Sequence, residues 1–162
     1  MKTRKEMDPQ FMWRLEDIYS DGAAWEADMS AAEAMVDALS SLRGTLASSA
    51  SALADGLDAI YAAAEKVNRV YLYAMLHKES DNSASEYQVM QGRAMSLYVK
   101  FSTAVAFADP EMLAAGADTL RAYLADEARL ATYKFKIEDL IRSSEHILDE
   151  GREALLASLG EA

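Results

Sequence analysis

A chain of 162 residues, 51% of them hydrophobic, is one domain by length and can bury about two-thirds of its unfolded surface. A formal net charge of −11 disfavours nucleic-acid backbones and anionic membrane surfaces; it suits a solvated acidic surface or a cationic peptide. The absence of cysteine excludes disulfides, thiolate chemistry and Cys-zinc sites and fits a reducing cytoplasm.

In chain order, the opening MKTRKEMDPQFMWRLEDIY is basic for its first residues but has no apolar core behind it. It is not expected to be a secretory signal, and no later stretch is apolar enough to span a bilayer. Up to Tyr19 the chain reads as irregular. Ser20 or Asp21 then caps a helix whose inward line is Trp25, Met29, Ala32, Val36 and Leu39, in steps of three and four. Gly44 is placed to end it in the left-handed conformation. A serine of SSASALADG caps a second helix, with a seam of Leu53, Leu57, Ile60, Ala64, Val67, Tyr71, Ala74 and Lys78.

The turn KESDNSASE follows, with Asn82 or Ser83 as the expected cap of a third helix that faces Tyr87, Met90, Ala94, Leu97, Phe101, Ala104 and Ala108 inward. Asp109, Pro110 and Glu111 read as a helix start with Asp109 as cap. Gly116 interrupts that helix and Asp118 restarts it. A longer helix carries Leu130, Tyr133, Ile137, Leu140 and Ile141, with Arg142 in its last turn. Asp149 opens a final helix with Leu155, Leu156 and Leu159. Only 2 Pro and 7 Gly interrupt this pattern, and period-two strands are missing. The predicted fold is all-α, an antiparallel bundle of five to six helices joined by short links.

Chemistry is sparse. Neither His77 nor His146 starts an H-E-x-x-H helix, and the residues three before them are Ala74 and Ser143, so a di-iron E-x-x-H pair fails as well. There is no G-x-S-x-G, P-loop or G-x-G-x-x-G. His146 and Glu150 share a face only if one helix runs through both, and Asp149 with the break in apolar phase speaks against that. His146 therefore reads as a cap, turn or surface residue and not as a metal ligand. His77 sits near the second helix's C-terminus, where the dipole favours it. Tyr71 lies on the seam. Tyr73, about 160° round the helix from it, is either a second core contact or an exposed aromatic at an interface.

Several segments resemble the oligoendopeptidase F family. RKEMDPQFMWRLEDIYSDGAAWEAD is similar to the family's opening, through Trp13, Leu15, Ile18, Tyr19 and Trp25. VYLYAMLHKESDNSASEYQ is similar to its tyrosine stretch, acidic turn and Glu86-Tyr87-Gln88, and FADPEML to a following Pro-Glu stretch. YKFKIEDLIRSSEHILDEGREALLA resembles a further stretch, through Tyr133, Phe135, Leu140, Arg142, His146, Leu148, Glu153, Leu155, Leu156 and Ala157. One departure is Gly151, which weakens the first turn of the last helix.

The resemblance implies the N-terminal helical domain, residues 1–145, of a zinc metallopeptidase whose H-E-x-x-H helix lies elsewhere. Residues 146–162 become the hinge into that catalytic region, with His146 and Leu148 as its landmarks. The zinc belongs to the longer parent, and no residue of this chain is expected to be catalytic or to bind metal. Tyr73 and His77 are the substrate-channel candidates. The implied partners are an oligopeptide substrate and the catalytic region of the same polypeptide, with no nucleic acid and no membrane, and the location is cytoplasmic. Leu155, Leu156 and Leu159 lack a later element to cover them, which favours a fragment and suggests a homodimer of the isolated domain. The other reading is a stand-alone acidic helical interaction module.

Overall fold

The computed structural model describes residues 7–144. His146, Leu148, Leu155, Leu156 and Leu159, on which the hinge and homodimer expectations rest, lie outside them. Among the described residues the fold is all-α, with six α-helices, four short 3-10 turns and no strand. Two compact units form. Of the described residues, the first takes 7–43 together with Gly56–Phe107, and the second takes Gly44–Asp55 together with 108–144.

The first unit opens with 3-10 turns at Pro9–Phe11 and Leu15–Asp17 and continues into α1, Gly22–Ala38. Asp21 caps α1, its carboxylate accepting from the Ala24 amide at 2.8 Å. The line Trp25, Met29, Ala32 and Val36 is buried as its spacing predicts, and Leu39 follows it in a 3-10 turn, Leu39–Leu42. Gly44 then adopts φ +81°, a conformation that costs a β-carbon-bearing residue strain. The α1 stripe packs with Leu15 and Tyr19, with Val67, Val70, Tyr73 and Ala74 of α2 (Ala50–Ser80), and with Ala94 and Leu97 of α3 (Ser85–Val105).

Two departures from the sequence reading are physical. Asn82 and Ser83 do not cap α3. Asp81 holds the turn instead, accepting from the Ser83 amide at 3.1 Å and its hydroxyl at 2.6 Å. On α2, Ala63, Val70 and Tyr73 are buried beside the expected seam, while Tyr71 is only half-buried. The buried band is wider than one line of residues because α1 and α3 both contribute to the same core.

In the second unit, Ser49 supplies the expected serine cap of α2, its hydroxyl accepting from the Ala52 amide at 3.1 Å. Helix α4 is Ala108–Ala115 and α5 is Ala117–Asp126, separated by Gly116 at φ +89° and ψ 148°, a region essentially reserved for glycine. The helix begins at Ala108, two residues earlier than expected. Asp109 is thus inside it and pairs with Lys136 at 2.6 Å, and Pro110 stays in the first turn, where its missing N–H is no loss.

The predicted long helix after α5 is two elements. Glu127 caps a 3-10 turn, Ala128–Tyr133, which feeds α6, Lys134–Ser144. Leu120, Leu130, Ile137, Leu140 and Ile141 are buried.

Glu111 ties this unit to its own first residues. Its carboxylate oxygens accept from the Gly44 amide at 2.8 Å and the Leu46 amide at 2.7 Å, and Leu46 is 1% exposed. Two amides on one carboxylate make a charge-assisted clamp. Glu111→Ala is expected to lower stability by about 2 kcal/mol, and Glu111→Gln, which keeps one acceptor oxygen, by about half of that. Urea unfolding of the two variants measures it, and equal losses would contradict the clamp.

Candidate functional site

The residues with chemical potential gather in the first unit. From the last turns of α2, Tyr73 and His77 project one helical turn apart, and their rings meet edge to face at 4.4 Å. Tyr87, in the first turn of α3, lies against His77 at 4.7 Å. On the other side Tyr19 meets Tyr73 edge-on at 5.2 Å. The four rings form a row, Tyr19, Tyr73, His77, Tyr87, held by three separate segments. Tyr73 is only 5% exposed, so of its two readings the structure supports the core contact. Tyr71 instead lies half-buried with its ring 5.6 Å from Tyr98. Both ring nitrogens of His77 are enclosed.

A polar network joins the row. The Tyr19 hydroxyl donates to Asp28 Oδ2 at 2.8 Å, and Lys66 Nζ donates to Asp28 Oδ1 at 2.5 Å. The Lys66 ammonium holds Asp28 below the usual carboxylate range, with the Tyr19 hydroxyl assisting. Burial, reinforced by Asp28, pushes the Tyr19 phenol well above its ordinary value. Burial likewise raises Tyr73. Both phenols therefore stay protonated at neutral pH and do not act as bases. The row can pack and hydrogen-bond, but it brings no nucleophile into line with a base.

The sequence reading singled out Tyr73 and His77 but missed Asp28 and Lys66. A signal was present. Each is the immediate neighbour of a stripe residue, Met29 and Val67, and opposite charges flanking two apolar stripes mark where the helices' rims meet.

The end of α2 forms a depression of about 200 Å³ with the N-terminal tract, lined by Met7, Phe11, Met12, Trp13, Glu79 and Ser80. Phe11 is 74% exposed and Trp13 58%. Among the described residues no group of three or more His, Cys, Asp or Glu could hold a metal ion, so the zinc implied by the sequence resemblance finds no ligand set there. No helix among them is long and apolar enough to cross a membrane.

A family model described as Oligopeptidase F matches residues 111–162. Oligopeptidase PepF of Bacillus subtilis is 33% identical over 158 residues, covering 98% of this chain and 24% of that protein. The chain belongs to the oligoendopeptidase F family. The plasmid-encoded oligoendopeptidase F of Lactococcus lactis subsp. cremoris is 30% identical over 161 residues, covering 99% of this chain and 27% of its own length. The crystal structure of oligoendopeptidase-F from Enterococcus faecium superposes with a TM-score of 0.73 at 26% identity, over 87% of this chain and 28% of that one. The chain thus spans about a quarter of the length of the relatives it matches, and it is an N-terminal domain of the oligoendopeptidase F family peptidases.

Proposed function

We propose that this chain is the N-terminal helical region of a cytoplasmic zinc metallopeptidase that cleaves short peptides, and that it encloses the substrate cleft and limits entry to oligopeptides. The observation that carries the reading is the alignment with Bacillus subtilis Oligopeptidase PepF along 98% of this chain. Zinc chemistry and bond cleavage belong, in this reading, to residues outside the chain, and no catalytic step is assigned to its side chains. Tyr73 and His77 enter the substrate channel as its backing. Their packed rings fix the end of α2, so that the surface beside them, with Trp13 and Phe11, keeps its shape when a peptide passes. His146 and Leu148 form the hinge toward the catalytic region.

The test compares two proteins on internally quenched short peptides and on a reduced, unfolded protein substrate. The full-length parent is expected to cleave the peptides and spare the long substrate. The 162-residue chain is expected to cleave neither, with or without added zinc. Chelator-sensitive turnover by the 162-residue chain would overturn the assignment of the chemistry to another region. An open reading frame that closes directly after Ala162 would leave the chain as a stand-alone acidic interaction module.

A further inference from the structure

Helix α2 ends at Ser80, and the last turn of a helix carries about half a unit of negative charge on its carbonyl oxygens. The depression of about 200 Å³ lies at that end. The Phe11 and Trp13 rings, 74% and 58% exposed, line it with Met7 and Met12, and Glu79 is the one charged residue of its lining. The Glu79 carboxylate is half exposed and has Lys78 Nζ at 3.8 Å, beyond hydrogen-bond distance. A cation that comes closer therefore gains from it.

Three features select the same occupant. The π faces of the two rings, the carboxylate and the helix C-terminus all favour positive charge. The chain's net charge of −11 draws cations and repels anions. An apolar side chain would suit the rings, but it would cover the carboxylate and the helix end without replacing their water hydrogen bonds. The volume is below the roughly 300–1,000 Å³ of small-molecule sites, so it admits one side chain and no folded partner. Between the two cationic side chains, a guanidinium is planar and weakly hydrated, and it can stack on an aromatic face while its N–H fork reaches a carboxylate. The protein already uses this pair of contacts once. The Arg93 guanidinium lies 5.2 Å from the centre of the Trp25 ring and donates to both Glu26 oxygens at 2.6 and 2.8 Å.

We infer that this depression is a subsite for an arginine side chain of a short peptide, with Trp13 stacking on the guanidinium and Glu79 accepting its hydrogen bonds. Met7 and Met12 adapt to the aliphatic stem. The inference rests on the reading that the chain borders a cleft through which oligopeptides pass.

Nuclear magnetic resonance on the 162-residue chain tests it. The chain has two tryptophans; the indole N–H of Trp13 reports on the depression, and that of Trp25, bonded to the Val70 carbonyl, reports on the core. Three acetylated and amidated pentapeptides differ only at the central position, which is arginine, its neutral near-isostere citrulline, or norleucine. The arginine peptide is expected to move the Trp13 signal, to leave the Trp25 signal in place, and to bind about tenfold more tightly than either of the others. Added salt is expected to weaken it. Glu79→Gln is expected to weaken the arginine peptide about fivefold and to leave citrulline unchanged, and Trp13→Leu, followed through the Ser80 amide, to weaken it by a similar factor. Both positions are exposed, and an unmoved Trp25 signal shows that the variants keep the core. Norleucine binding as tightly as arginine would overturn the inference and make the depression an apolar pocket. A Trp13 signal that stays in place up to about 10 mM arginine peptide, or an affinity that Glu79→Gln does not change, would overturn it as well. The titration reads binding without cleavage, so a parent that cleaves nothing would count against the proposed function and leave this result standing.

Discussion

Trp25→Ala is expected to lower stability by about 4 kcal/mol, the largest single loss among the described residues. Trp25 is 0% exposed and lies at the head of the α1 stripe. Its indole N–H donates to the Val70 carbonyl of α2 at 3.0 Å, and the Arg93 guanidinium of α3 lies 5.2 Å from its ring centre. One side chain therefore touches all three long helices of its unit. Truncation opens a cavity that three rigid helices close only in part. Since a domain is stable by only about 5–15 kcal/mol, the variant is expected to melt roughly 10 °C lower. Trp25→Phe keeps most of the volume and loses the N–H donor, and is expected to cost about 1–2 kcal/mol. Thermal and urea unfolding measure both. A loss below about 1 kcal/mol in the alanine variant would show that α1 does not depend on this ring.

The α1 stripe was legible because one helix face meets one core. Steps of three and four from Trp25 to Leu39 are the whole signal, and each of those five positions is buried. Helix α2 was legible as a helix but only partly as a packing surface. A helix that meets two neighbours has a buried band wider than any one seam, so Val70 and Tyr73 escaped a reading that followed Val67, Tyr71 and Ala74. The split at Glu127 was not legible either. Over six residues, hydrogen bonds to the third and to the fourth residue back give nearly the same apolar spacing, and Leu130, Tyr133 and Ile137 suit both. The turn after α2 offered three competing side chains, and Asp81 prevailed over Asn82 and Ser83 because a carboxylate accepts from both the Ser83 amide and its hydroxyl.

The candidate site divides the same way. Tyr73 and His77 were singled out by residue type, and the row they form with Tyr19 and Tyr87 depends on three segments far apart in sequence, whose meeting no local pattern encodes. Phe135 was visible only as one residue of a resemblance. Its 84% exposure follows from the phase of α6, in which Ile137, Leu140 and Ile141 face in. An unbroken helix from Leu130 also turns position 135 outward, about 160° round from Ile137.

Replacing Asp28 is expected to remove one acid-dependent contribution to stability. The Asp28 side chain is 23% exposed and that of Lys66 30%, so the pair is largely shielded from solvent. The folded-state pKa of Asp28 is depressed, first by Lys66 and then by the Tyr19 hydroxyl. A depressed carboxylate stabilises the fold above its unfolded value, about 3.9, and that contribution disappears as pH falls through the lower folded value. At pH 7, Asp28→Asn is expected to cost about 1–2 kcal/mol: the amide oxygen still accepts from Tyr19, but the charge opposite Lys66 is gone. Asp28→Ala also strips the part-buried Tyr19 hydroxyl of its acceptor and is expected to cost about 2–3 kcal/mol. Below about pH 4 the wild-type protein loses the advantage and the gap to Asp28→Asn narrows. The raised Tyr19 phenol has the opposite sign of response. Its contribution is complete below the ordinary phenol value of about 10 and is lost as pH climbs above it, so Tyr19→Phe is expected to flatten the alkaline limb and to shrink the acid limb only in part, since Lys66 still holds Asp28 depressed. Urea unfolding at steps between pH 3 and pH 11 reads both limbs. A wild-type to Asp28→Asn difference that is the same at pH 3 and pH 7 would mean that the Lys66 contact, short as it is, contributes nothing to the fold.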